Sequence, residues 1–231
     1  MQSLPEGFRA LVVGASGALG AAFTECLQAD PRCGGVLSLG RHTAVSIDLA
    51  REASLEQAAV QLHEQAPLHL IIVATGALHT ASAQPEKRLA DLSFGAMEEI
   101  FRLNTFGPAM VLRHFAPLLD RRRSLMALLS ARVGSIGDNR LGGWYSYRAS
   151  KAALNMMVKT AAIEMRRSHP GAVLTALHPG TVRSALSRPF RGDEIGRDPL
   201  EAAADMLRAL DGVGAQDSGC FLAYDGQRLP W

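Results

Sequence analysis

The sequence predicts an α/β fold, with a parallel sheet of about seven strands covered by helices on both faces. Short apolar runs alternate with longer amphipathic segments along the whole chain, a rhythm typical of βαβ units. Some of these runs, such as 68–74, are almost continuously apolar, as expected for strands buried on both faces. The 231 residues contain no linker, repeat or low-complexity tract, so we predict one domain over 1–231.

Each apolar run is assigned to a strand and each segment with helical periodicity to a helix. The predicted strands are 8–13, 36–39, 44–47, 68–74, 125–130, 173–177 and 219–224. The predicted helices are 18–29, 52–65, 93–103, 106–119, 145–169 and 199–210. Polar or glycine-rich segments predict loops at 77–92, 131–144 and 181–198.

Composition excludes several classes of protein. Lysine plus arginine is 24 and aspartate plus glutamate is 22, too balanced for a dedicated nucleic-acid or membrane-surface binder. Cys26, Cys33 and Cys220 are odd in number and lack C-x-x-C spacing, which argues against a disulfide framework and a metal site. No signal-peptide pattern or membrane-spanning apolar run is present, so we predict a cytoplasmic protein.

The first strand runs into the glycine-rich sequence GASGALG (14–20) and then a helix. Glycines let the backbone approach a pyrophosphate, and the helix N-terminus supplies free N–H groups and a favourable dipole. Glycine clusters also form plain tight turns. The strand before and the helix after favour dinucleotide binding in a Rossmann-like fold.

The end of the second strand bears on which dinucleotide is bound. An NAD site usually carries an acidic residue there, whereas this chain reads Leu39-Gly40-Arg41. A 2′-phosphate would meet the Arg41 guanidinium, which predicts NADP. The alternative is a surface arginine in a turn.

Tyr147 and Lys151 are four residues apart, so they share one face of the predicted helix. A phenol with a pKa of about 10 is a poor acid–base group at neutral pH. A nearby ammonium group favours the phenolate, and the phenol can then exchange a proton with a carbonyl oxygen. Alone, such a pair is usually a surface pair; behind a cofactor loop, it predicts catalysis.

Together these motifs resemble those of the short-chain dehydrogenase/reductase superfamily, over essentially the whole chain. Within it the sequence is similar to the C-factor and Sniffer-like carbonyl reductases. The segments that carry this similarity are GSIGDN at 134–139, GGWYSYRASKAALN at 142–155, LHPGTVRSALSRPF at 177–190 and the C-terminal DSGCFLAYDGQRLPW.

The resemblance implies a role for individual residues. Tyr147 would be the acid/base, Lys151 would bind the nicotinamide ribose and lower the pKa of the tyrosine, and Asn104 would hold a relay water. The implied cofactor-binding residues, including the arginine discussed above, are Gly14, Ser16, Gly17, Ala18, Leu19, Gly20, Arg41, Asp48, Leu49, Ala74, Thr75, Gly76, Tyr147, Lys151, Pro179, Gly180, Val182 and Ser184.

Two departures from the family pattern concern the site. Ala18 stands where the family loop usually has a glycine. The catalytic serine is expected at position 131, which is alanine here. We predict that Ser130 takes this role, although strand alternation turns it the other way unless a bulge intervenes. Ser135 is the alternative.

The expected function is NADP(H)-dependent interconversion of a carbonyl and an alcohol. The missing serine keeps a second hypothesis open, a dinucleotide-binding signalling or regulatory protein with little turnover. The family also implies a homodimer or homotetramer paired through the 145–169 helix. His178 is expected to be a packed structural histidine, and Trp144 either lines the substrate pocket or packs in a loop.

Overall fold

A computed structural model describes residues 1–231. Seven strands form one sheet in the order β3-β2-β1-β4-β5-β6-β7, and every neighbouring pair is parallel. The strands are β1 Phe8–Val13, β2 Cys33–Gly40, β3 Val45–Ser46, β4 Leu70–Val73, β5 Ser124–Leu129, β6 Ala172–His178 and β7 Cys220–Ala223. The predicted fold class is confirmed.

Seven α-helices connect or flank the strands. They are α1 Ala18–Gln28, α2 Glu52–Gln61, α3 Phe94–Phe101, α4 Gly107–Phe115, α5 Tyr145–Met165, α6 Gly192–Ile195 and α7 Pro199–Asp211. None is long and apolar enough to cross a lipid bilayer.

The core has two halves, one on each face of the sheet. Successive strand residues point to opposite faces, so Leu11 and Val13 of β1 lie in one half and Ala10 and Val12 in the other. Helices α2, α4 and α5 cover the first face, and α1 and α7 cover the second. All four of these β1 side chains are fully buried, which explains the continuous apolar run.

Most element ends differ from the predicted bounds by one to four residues, and three differences need a physical explanation. β2 begins at Cys33 rather than residue 36, because Gly35 pairs with Arg9 through backbone groups. Glycine has no side chain, so the sequence shows no apolar pattern for this part of the strand. A π-helical turn, Arg102–Phe106, joins the helices predicted at 93–103 and 106–119. The segment predicted as irregular at 181–198 contains the short helix α6.

Candidate active site

The candidate site lies at the carboxyl edge of the sheet, where the strand order reverses between β1 and β4. Ligands of open α/β sheets bind in the crevice formed at this point. Gly14 follows β1 and Thr75 follows β4, and Thr75 Cγ2 lies 2.7 Å from where a Cβ on Gly14 would stand. Thr75 Oγ1 is buried without a hydrogen-bond partner, so this crevice contains a polar atom that a ligand could satisfy.

The glycine-rich turn packs tightly on itself at the start of α1. A Cβ on Gly20 would overlap the carbonyl oxygen of Gly14, so only glycine fits at position 20. Gly17 precedes α1 and Ala18 is the helix's first residue, and no side chain caps this N-terminus. Its free N–H groups and dipole suit a phosphate.

Three of the predicted cofactor-binding residues follow the ends of β2 and β3. Arg41 is exposed and follows Gly40, the last residue of β2. A Cβ on Gly40 would stand 3.6 Å from Ser16 Oγ, so the end of β2 faces the turn. Asp48 is exposed and accepts a bond from the Ala50 amide (2.9 Å), and Leu49 packs against Gly107 at the start of α4.

Tyr147 and Lys151 lie in the first two turns of α5 and are both buried, 9% and 3% exposed. Lys151 Nζ is 5.9 Å from the centroid of the Tyr147 ring and donates to the Leu129 carbonyl oxygen, 2.9 Å away. Burial lowers the pKa of Lys151 to about 8. Burial also raises the pKa of Tyr147 to about 12, so its effect on the phenol is opposite to the lowering expected from the lysine.

The π-helical turn directs Asn104 into the site. Its Oδ1 accepts from the Ala77 amide (2.8 Å), and its Nδ2 donates to the Ala77 carbonyl oxygen (2.8 Å) and to Ser150 Oγ (3.1 Å). A Cβ on Gly76 would stand 3.1 Å from Lys151 Nζ and 3.2 Å from Asn104 Oδ1. The glycine therefore allows the chain after β4 to approach the amine and the amide together.

The structure directs the Ser130 hydroxyl elsewhere than predicted. It donates to Asn155 Oδ1, 2.6 Å away, in a fully buried pair. A serine has one hydroxyl proton, so this bond and a bond donated to a substrate oxygen exclude each other. The contact argues against the predicted catalytic role of Ser130, because the hydroxyl proton is already donated. Ser135 Oγ is also buried and accepts from the Asp138 amide (3.1 Å).

His178, at the end of β6, supports the turn that follows β5. Its Nδ1 accepts from the Arg132 amide, 3.2 Å away. Burial, with the nearby charge of Arg132, lowers the pKa of the imidazole to about 4. A neutral histidine that accepts a backbone bond is what the predicted structural role requires.

An aromatic cluster stands beside Tyr147. The Trp144 ring meets the Tyr147 ring edge-on at a centroid distance of 6.3 Å and the Phe190 ring at 5.3 Å. Phe190 belongs to the segment that follows β6, which also holds the predicted cofactor residues Pro179, Gly180, Val182 and Ser184. Trp144 therefore contacts the site instead of packing only within its own loop.

Two residues at the site were absent from the sequence prediction. Ser150 binds Asn104, and Glu86 binds the first turn of α5. Ser150 is one residue before Lys151, and nothing in the sequence distinguishes it from any other serine in a helix. Glu86 lies in a polar loop, and one sequence holds no signal that distinguishes a buried acid there from an exposed one.

The chain is similar to several known proteins. The family model described as enoyl-(acyl carrier protein) reductase matches residues 28–229. The 1-hydroxy-2-glutathionyl-2-methyl-3-butene dehydrogenase of Rhodococcus sp. (strain AD45) is 31% identical over 185 residues, which are 80% of this chain and 78% of that protein. The C-signal protein of Myxococcus xanthus is 37% identical over 145 residues, 62% of this chain and 83% of its own.

The fold also matches a solved structure, that of an NADPH-bound carbonyl reductase from chicken fatty liver. The TM-score is 0.81 at 24% identity, over 99% of this chain and all of the other. The fold and the family match together define an oxidoreductase of the parallel α/β class. Within that class, the chain belongs to the short-chain dehydrogenase/reductase family, which confirms the resemblance carried by its motifs.

Proposed function

We propose that this protein catalyses the NADP(H)-dependent interconversion of a carbonyl and an alcohol, with Tyr147 as acid/base and Lys151 as its partner. The observation that carries the proposal is the buried Tyr147/Lys151 pair at the same sheet edge as the glycine-rich turn. A phenol–ammonium pair can transfer a proton but not a hydride, so the reaction also needs the cofactor crevice beside the pair.

The residues of the crevice fit a nicotinamide dinucleotide. The unpartnered Thr75 Oγ1 supplies a hydroxyl, and the uncapped start of α1 supplies N–H groups for the pyrophosphate. Arg41 would bind the 2′-phosphate, because it follows the end of β2 and no acidic residue stands beside it in the sequence. When bound, NADPH supplies the hydride that reduces the carbonyl carbon.

The remaining contacts to the dinucleotide follow from position along the carboxyl edge. Lys151 would bind the ribose hydroxyls of the nicotinamide half. The residues proposed to complete the cofactor site are Gly14, Ser16, Gly17, Ala18, Leu19, Gly20, Asp48, Leu49, Ala74, Gly76, Tyr147, Pro179, Gly180, Val182 and Ser184.

Tyr147 donates the proton in the reductive direction. Because burial keeps the pKa of the phenol at about 12, it is fully protonated at neutral pH and ready to donate to the substrate oxygen. The ammonium form of Lys151 stabilises the phenolate left behind. Both Nδ2 protons of Asn104 are donated, to Ala77 and Ser150, whereas Oδ1 accepts one bond and has a second lone pair that would accept a proton of the relay water.

The decisive experiment is NADPH oxidation by the purified protein with a panel of ketones and aldehydes. The parent is expected to turn over at least one of them. Tyr147→Phe should abolish turnover and leave NADPH binding intact, because only the proton donor is removed. Near-normal reduction by Tyr147→Phe would show that the acid/base assignment is wrong.

One observation favours a second candidate function. Ala131 occupies the position of the family's serine, and the neighbouring Ser130 hydroxyl is bound to Asn155. A dinucleotide-binding signalling or regulatory protein with little turnover has no need of that serine. Tight NADPH binding without turnover of any carbonyl would favour this alternative.

We also propose a homodimer or homotetramer that pairs through residues 145–169. Met156 and Ile163 of α5 are 65% and 55% exposed, although both are apolar. Sedimentation equilibrium of the parent and of a Met156→Lys/Ile163→Lys variant would test this pairing. A parent that sediments as a monomer would contradict it.

A further inference from the structure

We propose that Glu86 is a positioning residue for Tyr147 and Trp144. Its buried carboxylate and its backbone carbonyl fix the junction at which α5 begins, and thereby the two rings that flank the reacting oxygen. The catalytic part of this statement rests on the function proposed above, whereas the structural part is independent of it.

Glu86 is 4% exposed, although it lies in an otherwise polar loop sixty residues from its partner. One carboxylate oxygen accepts a hydrogen bond from the Ser146 amide (3.1 Å), and the other accepts one from the Ser146 hydroxyl. A buried carboxylate is retained only where such bonds replace its water. Both carboxylate oxygens therefore bind Ser146, the residue that precedes Tyr147.

The carboxylate acts as the N-terminal cap that α5 lacks in its own sequence. The residue before the helix is Trp144, and no local side chain caps the first turn. Ser146 occupies the second helical position, where an N–H has no partner within the helix. A negative charge at this end is also favoured by the helix dipole. The direction of the first turn therefore depends on a residue from a distant loop.

The backbone at Trp144 is strained and held from two sides. Its φ and ψ are 53° and 44°, the left-handed region that non-glycine residues rarely adopt. The Trp144 amide donates to the Glu86 carbonyl oxygen, 2.5 Å away. On the other side, the Arg148 guanidinium donates to the carbonyl oxygens of Gly142 and Gly143. Such a conformation persists only where its surroundings determine it.

This strained turn decides where the Trp144 ring stands. The ring contacts Tyr147 edge-on and also meets Phe190 from the segment after β6. Release of Glu86 would let Trp144 relax to an ordinary backbone conformation and carry its ring away from Tyr147. A misplacement of about 1 Å near the reacting groups can reduce a rate by on the order of a hundred-fold.

Two conservative variants separate position from charge. Glu86→Gln keeps the length of the side chain: its oxygen accepts the Ser146 amide, and its NH₂ donates to the Ser146 hydroxyl. Glu86→Asp keeps the charge but is shorter by one bond, about 1.5 Å, so it cannot hold Ser146 unless the junction moves. If Glu86 acts by positioning, Glu86→Gln should keep the Trp144 environment and the kcat of the parent, and Glu86→Asp should change both.

The first readout is the fluorescence of Trp144, which needs no activity. Trp144 and Trp231 are the two tryptophans, so Trp231→Phe leaves Trp144 as the one emitter. In that background, Glu86→Asp should shift the Trp144 emission maximum to longer wavelength, and Glu86→Gln should keep the parent maximum. Ser146→Ala should shift it in the same direction as Glu86→Asp, which keeps the test available if Glu86→Asp fails to fold.

The second readout is steady-state kinetics per folded molecule. Glu86→Asp is expected to lower kcat by on the order of ten- to a hundred-fold with the Kd for NADPH unchanged, and Glu86→Gln to restore kcat. Glu98→Asp, at an exposed acid of α3, is the matched control and should change neither readout.

The proposal would be overturned if Glu86→Asp had the emission maximum and the kcat of the parent. It would also be overturned if Glu86→Gln changed both quantities and Glu86→Asp changed neither. If no carbonyl is reduced by any form of the protein, the proposed function fails. The emission of Trp144 still decides whether Glu86 positions the ring, so the two failures are distinguishable.

Discussion

Lys151→Met is expected to make the protein more stable at neutral pH while it removes the ammonium group proposed to act in catalysis. Burial lowers the pKa of Lys151 from 10.5 to about 8, which corresponds to ~3 kcal/mol of folding stability lost at neutral pH. Methionine fills nearly the same volume without a charge. The Leu129 carbonyl oxygen loses its bond from the amine, which costs about 1 kcal/mol. The net expectation is a gain of ~2 kcal/mol.

The sign of the pH dependence follows from the direction of the shift. Below about pH 8 both the folded and the unfolded chain carry the charged lysine, and the full burial penalty applies. Between about pH 8 and 10.5 the unfolded chain binds more protons than the folded one, so the stability of the parent rises with pH. The advantage of Lys151→Met should therefore shrink through this interval.

Urea unfolding followed by circular dichroism, at several pH values from 7 to 10.5, measures this difference directly. Lys87→Met is the matched control, because Lys87 is exposed and its replacement should change the free energy of unfolding by less than ~0.5 kcal/mol. A Lys151→Met variant that is less stable than the parent at pH 7, or whose advantage does not change with pH, would refute the burial argument.

Two further expectations concern the cofactor and the serine. Arg41→Ala should reduce the preference for NADP(H) over NAD(H), measured as the ratio of Kd values, by roughly ten- to a hundred-fold. This factor corresponds to the loss of a charge-assisted phosphate contact of ~1.5–3 kcal/mol. Equal affinity of the parent for both cofactors would contradict this expectation. Ser130→Ala should leave kcat near the parent value and lower stability by about 1–3 kcal/mol, since Asn155 loses its partner. Ala131→Ser should raise kcat, because an added hydrogen-bond donor to the developing alkoxide stabilises the transition state by about 1–3 kcal/mol. A large loss of kcat in Ser130→Ala would show instead that Ser130 is the catalytic serine.

The fold was predictable because its core follows simple periodicities. β1 was predicted with its observed bounds, since all its residues except Arg9 are buried and glycine ends it. Errors occurred where backbone bonds without side-chain patterns decide the structure. Gly35 extends β2 by pairing with Arg9, and the π-helical turn at 102–106 continues a helix that the sequence predicted as two.

The candidate site was predictable only where a residue type and a fixed spacing carry the chemistry. Tyr147 and Lys151 satisfy both conditions, and the structure places them together. The direction of the Ser130 hydroxyl depends on Asn155, which is contributed by helix α5, twenty-five residues further along the chain. Glu86 meets Ser146 across sixty residues, and no local pattern records such a contact.

The parallel sheet also determines when the site forms during folding. Parallel strands pair only after a long loop has closed, as between Val13 of β1 and Val73 of β4. The site needs several such closures, since it joins the ends of β1 and β4 to helix α5. Individual helices form in about a microsecond, far ahead of these non-local pairings. During refolding we expect helical structure to return first and the arrangement around Tyr147 to become native only after these strands have paired.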